Sequence, residues 1–566
     1  MESQRSFLII GLALVSFLLW QQWQKDYGPQ PVAQTEMSSS ESQTAGAQSQ
    51  GVPSFDDSAS GNATSAGNQS SADVPVSDAA PAPVQQNTAR TIVVRTDTLD
   101  LRIDLLGGDV IVADLLKFPV KQGAEEPYSL LRSSNGLHVA QSGLVGAQGP
   151  DASGQGRPVY RAEKEIYEMT GDTLEVPLTW RNDKGLEVTK TFTFNRDSYN
   201  VDVSFSITNN TATPASVQQY AQLKQDTQVE QDDSMMFMPT YRGAAFSSED
   251  ERYTKYDFGD IEDGNLRRKT AAGWAAMLEH YFVSAWVPPQ DQTNTIYSRN
   301  LSDRYAVIGF LGEPATIQSG ESQRLTSTLY MGPKDQDNLA KLARGLDLTV
   351  DYGILWWISK PLFHLLQFLH SLVGNWGFAI ILITIIVKGA MYPLTKKQYE
   401  SMARMRNLAP KMQQLKERHG DDRQKMSQSM MELYKKEKVN PMGGCLPLLL
   451  QMPIFLALYW VFMESVELRH ADFILWITDL SVKDPYFVLP ILTGASMYLL
   501  QKMQPTTISD PMQQKIMQFM PVMMSIFFLW FPAGLVLYWL VSNVITLIQA
   551  RMIYANMEKR GISSKS

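Results

Sequence analysis

The sequence has few of the side chains that metal and redox chemistry require. It contains one cysteine, Cys445, and six histidines in 566 residues. A single thiol excludes an intramolecular disulfide framework and a paired-cysteine zinc site. No Walker-type phosphate loop, HExxH or GxSxG motif occurs. The sequence therefore predicts no cofactor, no metal and no enzyme activity of these classes.

Charge is distributed unevenly between the two halves of the chain. The formal net charge is -8, with -11 on residues 91–350 and +8 on residues 351–566. Such asymmetry indicates two different environments for the two halves.

The fold class that the following patterns predict is multi-domain: a polytopic α-helical membrane core of six spans and a large extracytoplasmic antiparallel β-sandwich.

The N-terminal region carries an apolar run followed by a polar segment. The run Phe7–Trp20 is not followed by a small-residue cleavage site, so residues 1–25 are predicted to form an uncleaved transmembrane anchor. The alternative is a cleaved signal peptide. Residues 26–90 are rich in Ser, Gln, Ala, Gly and Pro and are predicted to be a disordered linker.

Residues 91–350 show the period-two pattern of strands. Apolar and charged residues alternate from Leu99 to Leu105 before Gly107-Gly108, and a second alternating pair flanks a turn at Asn195–Ser198. These patterns predict a large antiparallel β-sandwich, closed by a short helix at Pro333–Arg344. Its histidines form no recognisable catalytic group, so a membrane-anchored carbohydrate-binding or carbohydrate-active protein remains only an alternative.

Residues 352–373 are predicted to form an amphipathic helix in the membrane interface, because their polar side chains recur at helical spacing. Residues 375–554 are predicted to form a five-span core, followed by a basic tail at residues 555–566. The predicted spans are Trp376–Leu394, Gly444–Met463, Tyr486–Leu500, Ile516–Phe531 and Ala533–Ala550.

Orientation follows from the positive charges. The loop Thr395–Asn440 carries twelve Lys or Arg residues, and loops rich in these residues stay in the cytoplasm. We therefore expect a multi-pass membrane protein with both termini in the cytoplasm and residues 26–350 on the opposite side of the membrane.

Lys388 is the one Lys or Arg within the five predicted core spans. An ammonium at membrane depth normally faces protein or water, and helical spacing places Thr384 and Tyr392 on the same face. This pattern predicts a cation in a hydrated groove. The alternative is that Lys388 extends its side chain to the nearer membrane surface.

The cytoplasmic loop predicts a helical hairpin, residues 396–438. Its first helix should kink at Pro410 and its second should begin at Asp421. Its cations form either a solvated face or a docking surface for anionic lipids or ribosomal RNA. The candidate docking residues are Arg404, Arg406, Lys411, Lys416, Arg418, Arg423 and Lys425.

Methionine is concentrated in the second half of the chain. Met-rich surfaces adapt to varied apolar partners, although ordinary core packing is the alternative. Two of the predicted spans are short, so we also expect the bilayer to thin beside them. The candidate client-contact residues on these spans are Met497, Met520, Met523 and Met524.

Several long strings resemble the YidC family of membrane protein insertases of Gram-negative bacteria. They are GNWGFAIILIT, GAMYPLT, KVNPMGGCLPLLLQMPIFLALY, SDPMQQKIMQFMP and FPAGLVLYWLVSN. The resemblance implies an insertase that needs no nucleotide and has a groove open to cytosol and lipid. From the resemblance and from the polar positions within the predicted spans, the candidate groove residues are Lys388, Thr384, Tyr392, Gln451, Tyr538, Trp539, Ser542 and Asn543.

The resemblance also implies partners, and at two positions this sequence departs from the usual pattern of the family. The implied partners are nascent inner-membrane proteins, the Sec translocon with its accessory subunits, the ribosome, the signal recognition particle receptor and anionic lipids, with no DNA. Family members usually have Arg where Lys388 stands, and commonly Tyr where Trp539 stands. A Lys keeps the charge but lacks the bidentate fork of Arg. A secondary transporter is the remaining rival class, although no internal repeat is evident.

Overall fold

The computed structural model describes residues 90–134, 136–152, 156–228, 240–302, 304–419, 422–437, 446–503 and 511–559. The predicted anchor and, apart from Arg90, the predicted linker lie outside the described residues. Cys445 and the predicted helix cap Asp421 also lie outside them.

The first half of the described chain consists almost entirely of strands. In chain order they are β1 Thr91–Arg95, β2 Leu99–Asp104, β3 Asp109–Pro119, β4 Pro127–Leu131, β5 His138–Val145, β6 Arg161–Ala162, β7 Ile166–Glu168, β8 Thr173–Arg181, β9 Leu186–Asn195, β10 Asn200–Asn209, β11 Ala215–Asp226, β12 Gly243–Ser247, β13 Thr254–Tyr256, β14 Arg267–Ala271, β15 Trp274–Leu278, β16 Phe282–Val287, β17 Thr293–Leu301, β18 Tyr305–Leu311, β19 Ala315–Ile317 and β20 Ser322–Pro333.

The strands form the two layers of a sandwich. The spatial order of the first sheet is β14-β17-β18-β11-β5-β3-β2-β1-β7, with β4 beside β3 and β19 beside β11. The order of the second is β13-β12-β15-β16-β20-β10-β9-β8-β6. The prediction of an antiparallel sandwich is confirmed, except that β1 and β7 pair in parallel.

Both predicted hairpins are present. Gly107 and Gly108 have φ angles of 83° and 63° in the turn between β2 and β3, a region that glycine adopts without strain. Strands β9 and β10 pair with Val201 opposite Phe194. Along β9, buried and half-buried residues alternate, as the period-two pattern predicts.

The second half of the described chain is helical. Helix α1 is an exception, because it lies between strands of the sandwich and begins with a capping box at Asp257. The helices are α1 Phe258–Asp263, α2 Gln336–Leu342, α3 Trp356–Val373, α4 Trp376–Ala390, α5 Tyr392–Asn407, α6 Ala409–His419, α7 Arg423–Lys436, α8 Leu446–Glu464, α9 Val488–Met503, α10 Pro511–Phe527 and α11 Ala533–Lys559.

The predicted span Trp376–Leu394 is not one straight helix. It ends as α4 at Ala390, and α5 continues after a bend of 60°. The expectation that Tyr392 continues the helical face of Lys388 is therefore wrong, because the two residues lie on differently directed helices.

The predicted hairpin also differs in detail. The first helix breaks at Leu408, two residues before Pro410, and the second is capped by Asp422, which accepts bonds from the backbone N–H groups of Gln424 and Lys425. Only α6 pairs with α7, joined by a 2.6 Å salt bridge between Lys411 and Glu437. Helix α5 packs on α11 instead, because its apolar side chains fit a cluster with Ala550 and Ile553.

Length and hydropathy identify few long membrane-spanning helices in the described chain. One helix, α11, is long and apolar enough to cross a bilayer, and α4 with the start of α5 qualifies as a bent pair. Residues Gln518–Trp530 form a shorter apolar helix.

Several contacts join the sandwich to the end of α8 and to the loop that follows it. Arg469 donates to the carbonyl of Pro119 at 2.7 Å, and its guanidinium lies 5.3 Å from the ring centre of Phe282. His280 Nε2 donates to the carbonyl of Met463 at 2.8 Å. Burial and the nearby Lys334 cation lower the pKa of His280 to about 4, so this histidine is neutral at neutral pH.

Lys190 connects the two sheets inside the sandwich. Its side chain is fully buried, and Nζ donates to the carbonyls of Gly107, Gly108 and Ser142 at 3.1, 2.7 and 2.9 Å. Lys190 belongs to β9 of the second sheet, whereas Ser142 belongs to β5 of the first. A buried ammonium is tolerated here because three carbonyls replace its lost hydration.

We predict that Lys190→Met destabilises the sandwich by about 3 kcal/mol, because it leaves three buried carbonyls without their donor. The measurement is thermal unfolding of the purified chain, followed by tryptophan fluorescence. Lys184→Met is the control, since Lys184 is exposed at the start of the same hairpin. Equal unfolding temperatures for the two variants would contradict the prediction.

Candidate functional site

Helix α4 brings Lys388 into the helical core. Asn375 caps the helix by accepting a bond from the backbone N–H of Phe378, and the apolar side chains that follow pack against α3 and α11. Lys388 lies in the last turn of α4, where a cation interacts favourably with the helix dipole. Only 7% of its surface is exposed. The sequence therefore places one buried cation at the end of an apolar helix.

The ammonium of Lys388 contacts α11. Its Nζ donates to the hydroxyl of Thr546 at 3.1 Å, and that hydroxyl donates to the carbonyl of Ser542 at 2.7 Å. Gln549, which is also buried, donates from Nε2 to the carbonyl of Lys388 at 3.1 Å. Among the described residues, no carboxylate forms an ion pair with Lys388. Within the described ranges, the hydrogen bond of this charge is thus made to a neutral hydroxyl oxygen, that of Thr546.

A second polar contact links α11 to α9. Asn543 donates from Nδ2 to the hydroxyl of Ser496 at 3.0 Å, and Ser496 donates to the carbonyl of Thr493 at 2.7 Å. Thr546 and Gln549 bond to Lys388 of α4 and Asn543 bonds to α9, so α11 directs hydrogen-bonding groups towards both helices. Polar contacts of this kind stabilise helix pairs where water is scarce.

Other predicted groove residues occupy different surroundings. Thr384 is fully buried, and its hydroxyl donates to the carbonyl of Ile380 in its own helix at 2.6 Å. Tyr538 and Trp539 pack against Phe455, with ring centres 6.1 and 4.6 Å away. Gln451 is half-buried on α8. Within the described ranges, none of these four residues forms a hydrogen bond with Lys388.

The predicted methionines fall into two groups. Met497 and Met524 pack against the helical core. Met520 and Met523 are 40% and 63% exposed. They share α10 with exposed Phe519, Val522 and Ile526, and α9 adds exposed Ile491, Leu492 and Leu499. An apolar surface of this extent marks a face for lipid or an apolar partner.

Sequence reasoning missed Thr546, Gln549 and Ser496. A signal was available, because Ser542, Thr546 and Gln549 follow one another at spacings of four and three residues. That spacing puts them on one face of a helix. Nothing local in the sequence indicates that this face meets Lys388, because the two segments are 158 residues apart.

The predicted docking cations lie on α5, α6 and α7. Arg404, Lys411, Arg418 and Lys425 are exposed. The side chains of Arg406, Lys416 and Arg423 lie outside the described residues. Over the described ranges, no group of three or more His, Cys, Asp or Glu side chains is arranged to hold a metal ion.

Comparison with known proteins gives consistent matches over both halves. The family model described as YidC periplasmic domain matches residues 91–365, and the one described as 60Kd inner membrane protein matches residues 368–560. The chain is 62% identical to a membrane protein insertase YidC of Pseudoalteromonas atlantica, with 100% of each chain covered. It is 53% identical to the protein of that name from Shewanella sp. strain ANA-3, over 99% of this chain and 100% of the relative.

Solved structures resemble the chain more distantly. A crystal structure of an active YidC insertase matches 81% of this chain and 92% of its own, with 20% identity and a TM-score of 0.36. A galactose mutarotase related enzyme from Lactobacillus acidophilus matches 43% of this chain and 97% of its own, with 9% identity and a TM-score of 0.29.

We predict that Thr546→Val destabilises the helical core by about 2 kcal/mol more than Thr395→Val. Each hydroxyl donates to the carbonyl four residues before it, but only that of Thr546 also accepts from an ammonium, and hydrogen bonds to charged groups are the stronger ones. The measurement is thermal unfolding in detergent. In a Lys388→Met background, the two Thr variants should be equally destabilised. If Thr546→Val is still the more destabilising one, its effect does not come from the bond with Lys388.

Proposed function

This chain belongs to the YidC family of membrane protein insertases, and we propose that it inserts clients through a polar groove around Lys388, without nucleotide. Its function is to insert other proteins into the inner membrane, and the chain is not an enzyme. The observation that carries the proposed mechanism is the buried Lys388 ammonium at the end of the apolar helix α4, hydrogen-bonded to Thr546 of α11.

The groove lowers the main cost of insertion. A client's polar segment loses hydration when it enters the bilayer, and each unpaired polar group then costs several kcal/mol. The hydroxyls and amides of Ser542, Asn543, Thr546 and Gln549 offer partners beside the Lys388 cation. Anionic or polar client groups would be held there while the client's apolar segment enters lipid.

The apolar segment would leave along α9 and α10. Their exposed side chains, including Met520 and Met523, offer an apolar face. These helices have 16 and 17 residues, so they extend about 24–26 Å, less than the ~30 Å of a bilayer core. A thinner bilayer beside them would shorten the client's path through hydrocarbon.

The proposed topology has six spans, with both termini and the α6–α7 hairpin in the cytoplasm and the sandwich in the periplasm. It is supported by the twelve Lys and Arg residues between Thr395 and Asn440. Helix α3 would lie in the interface on the periplasmic side of the inner membrane. Tryptophans are favoured there, and Trp356 and Trp357 are exposed at the start of α3.

The α6–α7 hairpin would receive clients. Its exposed cations are suited to anionic lipid or ribosomal RNA, so docking with the ribosome or with the signal recognition particle receptor is the partner proposal that this surface supports. Cooperation with the Sec translocon is proposed from family membership alone.

We predict that Lys388→Glu lowers insertion at least about tenfold, whereas Lys388→Arg retains most of it, because a point charge suffices without bidentate geometry. The measurement is protease protection of one small client in proteoliposomes of the purified chain, with nucleotide omitted. Failure of the unaltered chain to insert without nucleotide would overturn the energy-free mechanism. Equal insertion by the Glu and Arg variants would overturn the role of the cation.

We predict that replacing residues 409–437 with a short Gly/Ser linker abolishes insertion, while Lys425→Gln alone costs little. The replacement spares α5, which packs on α11 and supports the core. Docking of ribosomes should weaken as salt rises, since exposed charges are screened within about 10 Å at 0.1 M. Normal insertion by the linker variant, at equal membrane abundance, would contradict the hairpin's role.

A further inference from the structure

A cleft lies where the sandwich meets the start of α3. Its volume is about 1020 Å³, and it is lined by the Arg252-Tyr253 loop, by the segment from Ala340 to Gly353, and by Trp356 and Lys360 of α3. Gly345 has a φ of 81°, and a Cβ at this position would collide with the backbone oxygen of Arg252. This close approach holds the Arg252 loop against the segment that carries Arg344.

The cleft is cationic although the surrounding domain is acidic. Residues 91–350 carry a net charge of -11, yet Arg252, Lys341, Arg344 and Lys360 all line this one cleft. Four cations collected in one concavity raise the local concentration of an anion.

The two carboxylates of the cleft are already paired. Asp347 forms a 2.8 Å salt bridge with Lys360, and Asp351 pairs with Lys255. Within the described chain, the side chains of Arg252, Lys341 and Arg344 form no ion pair and no hydrogen bond. Three cations therefore face the cleft without a protein anion to neutralise them.

The position of the cleft indicates the source of the anion. Ile354, Trp356 and Trp357 are 92%, 57% and 60% exposed directly beside it. Exposed tryptophans at a helix start are typical of the headgroup level of a membrane. A cationic cleft at that level meets the phosphates of lipid headgroups before it meets any other abundant anion.

We propose that this cleft binds the phosphate-bearing headgroup of an anionic phospholipid from the outer leaflet. Arg252, Lys341 and Arg344 contact the phosphate, and Trp356 lies along the start of the acyl chains. The bound lipid thereby holds the sandwich and α3 against the membrane surface. This inference rests on the proposed interfacial position of α3 and goes beyond the insertion mechanism.

The test uses the full-length chain in liposomes with brominated phospholipids, which quench nearby tryptophans. The signal of Trp356 is the difference between the chain and its Trp356→Phe variant. Brominated phosphatidylcholine reports whether Trp356 reaches lipid at all. Brominated phosphatidylglycerol at the same mole fraction reports whether an anionic headgroup is preferred.

We expect stronger Trp356 quenching by phosphatidylglycerol than by phosphatidylcholine. Loss of one cation near a membrane lowers the relative affinity about fivefold, so Lys341→Gln with Arg344→Gln should lose at least that factor of preference. The matched control is Arg161→Gln with Lys184→Gln, which removes the same charges from a pocket at the opposite edge of the second sheet. The control should keep the preference of the parent chain.

Each other outcome has a defined meaning. Quenching by neither lipid would overturn the interfacial position of α3, and the insertase assay remains a separate measure of function. Equal quenching by both lipids would overturn the headgroup site alone. Because the proposed contact is made through the phosphate, inorganic phosphate should reduce the preference more than sulfate does at equal ionic strength; equal effects of the two anions would overturn recognition of the phosphate group. Displacement of the lipid by a client peptide would assign the cleft to clients instead.

Discussion

The cost of burying one ammonium is the constraint on which the helical core depends. Lys388 sits at the end of an apolar helix, and an isolated charge in that position would be strongly unfavourable. The Thr546 hydroxyl accepts a hydrogen bond from its ammonium, and Gln549 donates one to its backbone carbonyl, so α11 must lie against α4 in one register. The same helix holds α9 through Asn543 and Ser496. The polar groups that satisfy the charge thus also set the arrangement of three helices.

The sandwich meets this core through a few specific contacts. Arg469, from the loop after α8, reaches a carbonyl of the sandwich and the rings of Tyr128 and Phe282. His280 adds a neutral hydrogen bond to Met463. Gln122 donates to Asp472 of the same loop at 2.6 Å. Because these contacts converge on the end of α8 and the loop that follows it, movement of the sandwich would be transmitted to α8, whereas the Lys388 site lies on other helices.

Much of the architecture could be predicted from the pattern of residues. Period-two alternation identified the sandwich because alternate strand residues, such as Phe192 and Phe194, face its interior. The bend after Ala390 was not predicted, because an apolar run looks the same whether its helix is straight or broken. The predicted hairpin, residues 396–438, began too early: its first helix breaks at Leu408, and the part before the break, α5, packs on α11. The sequence does not say which partner covers the apolar face of α5.

The sequence by itself determined the family, the strand and helix content, and the presence of one cation among apolar spans. These depend on local periodicity and on strings that a short segment contains in full. Tertiary structure alone decided which groups surround that cation, since Thr546 lies 158 residues from Lys388. It also collected Arg252, Lys341 and Arg344 around one cleft from separate segments. A hydrogen bond or a charge cluster between distant segments forms only when the chain folds back on itself. The spacing of residues along the chain does not predict which distant segments then come into contact.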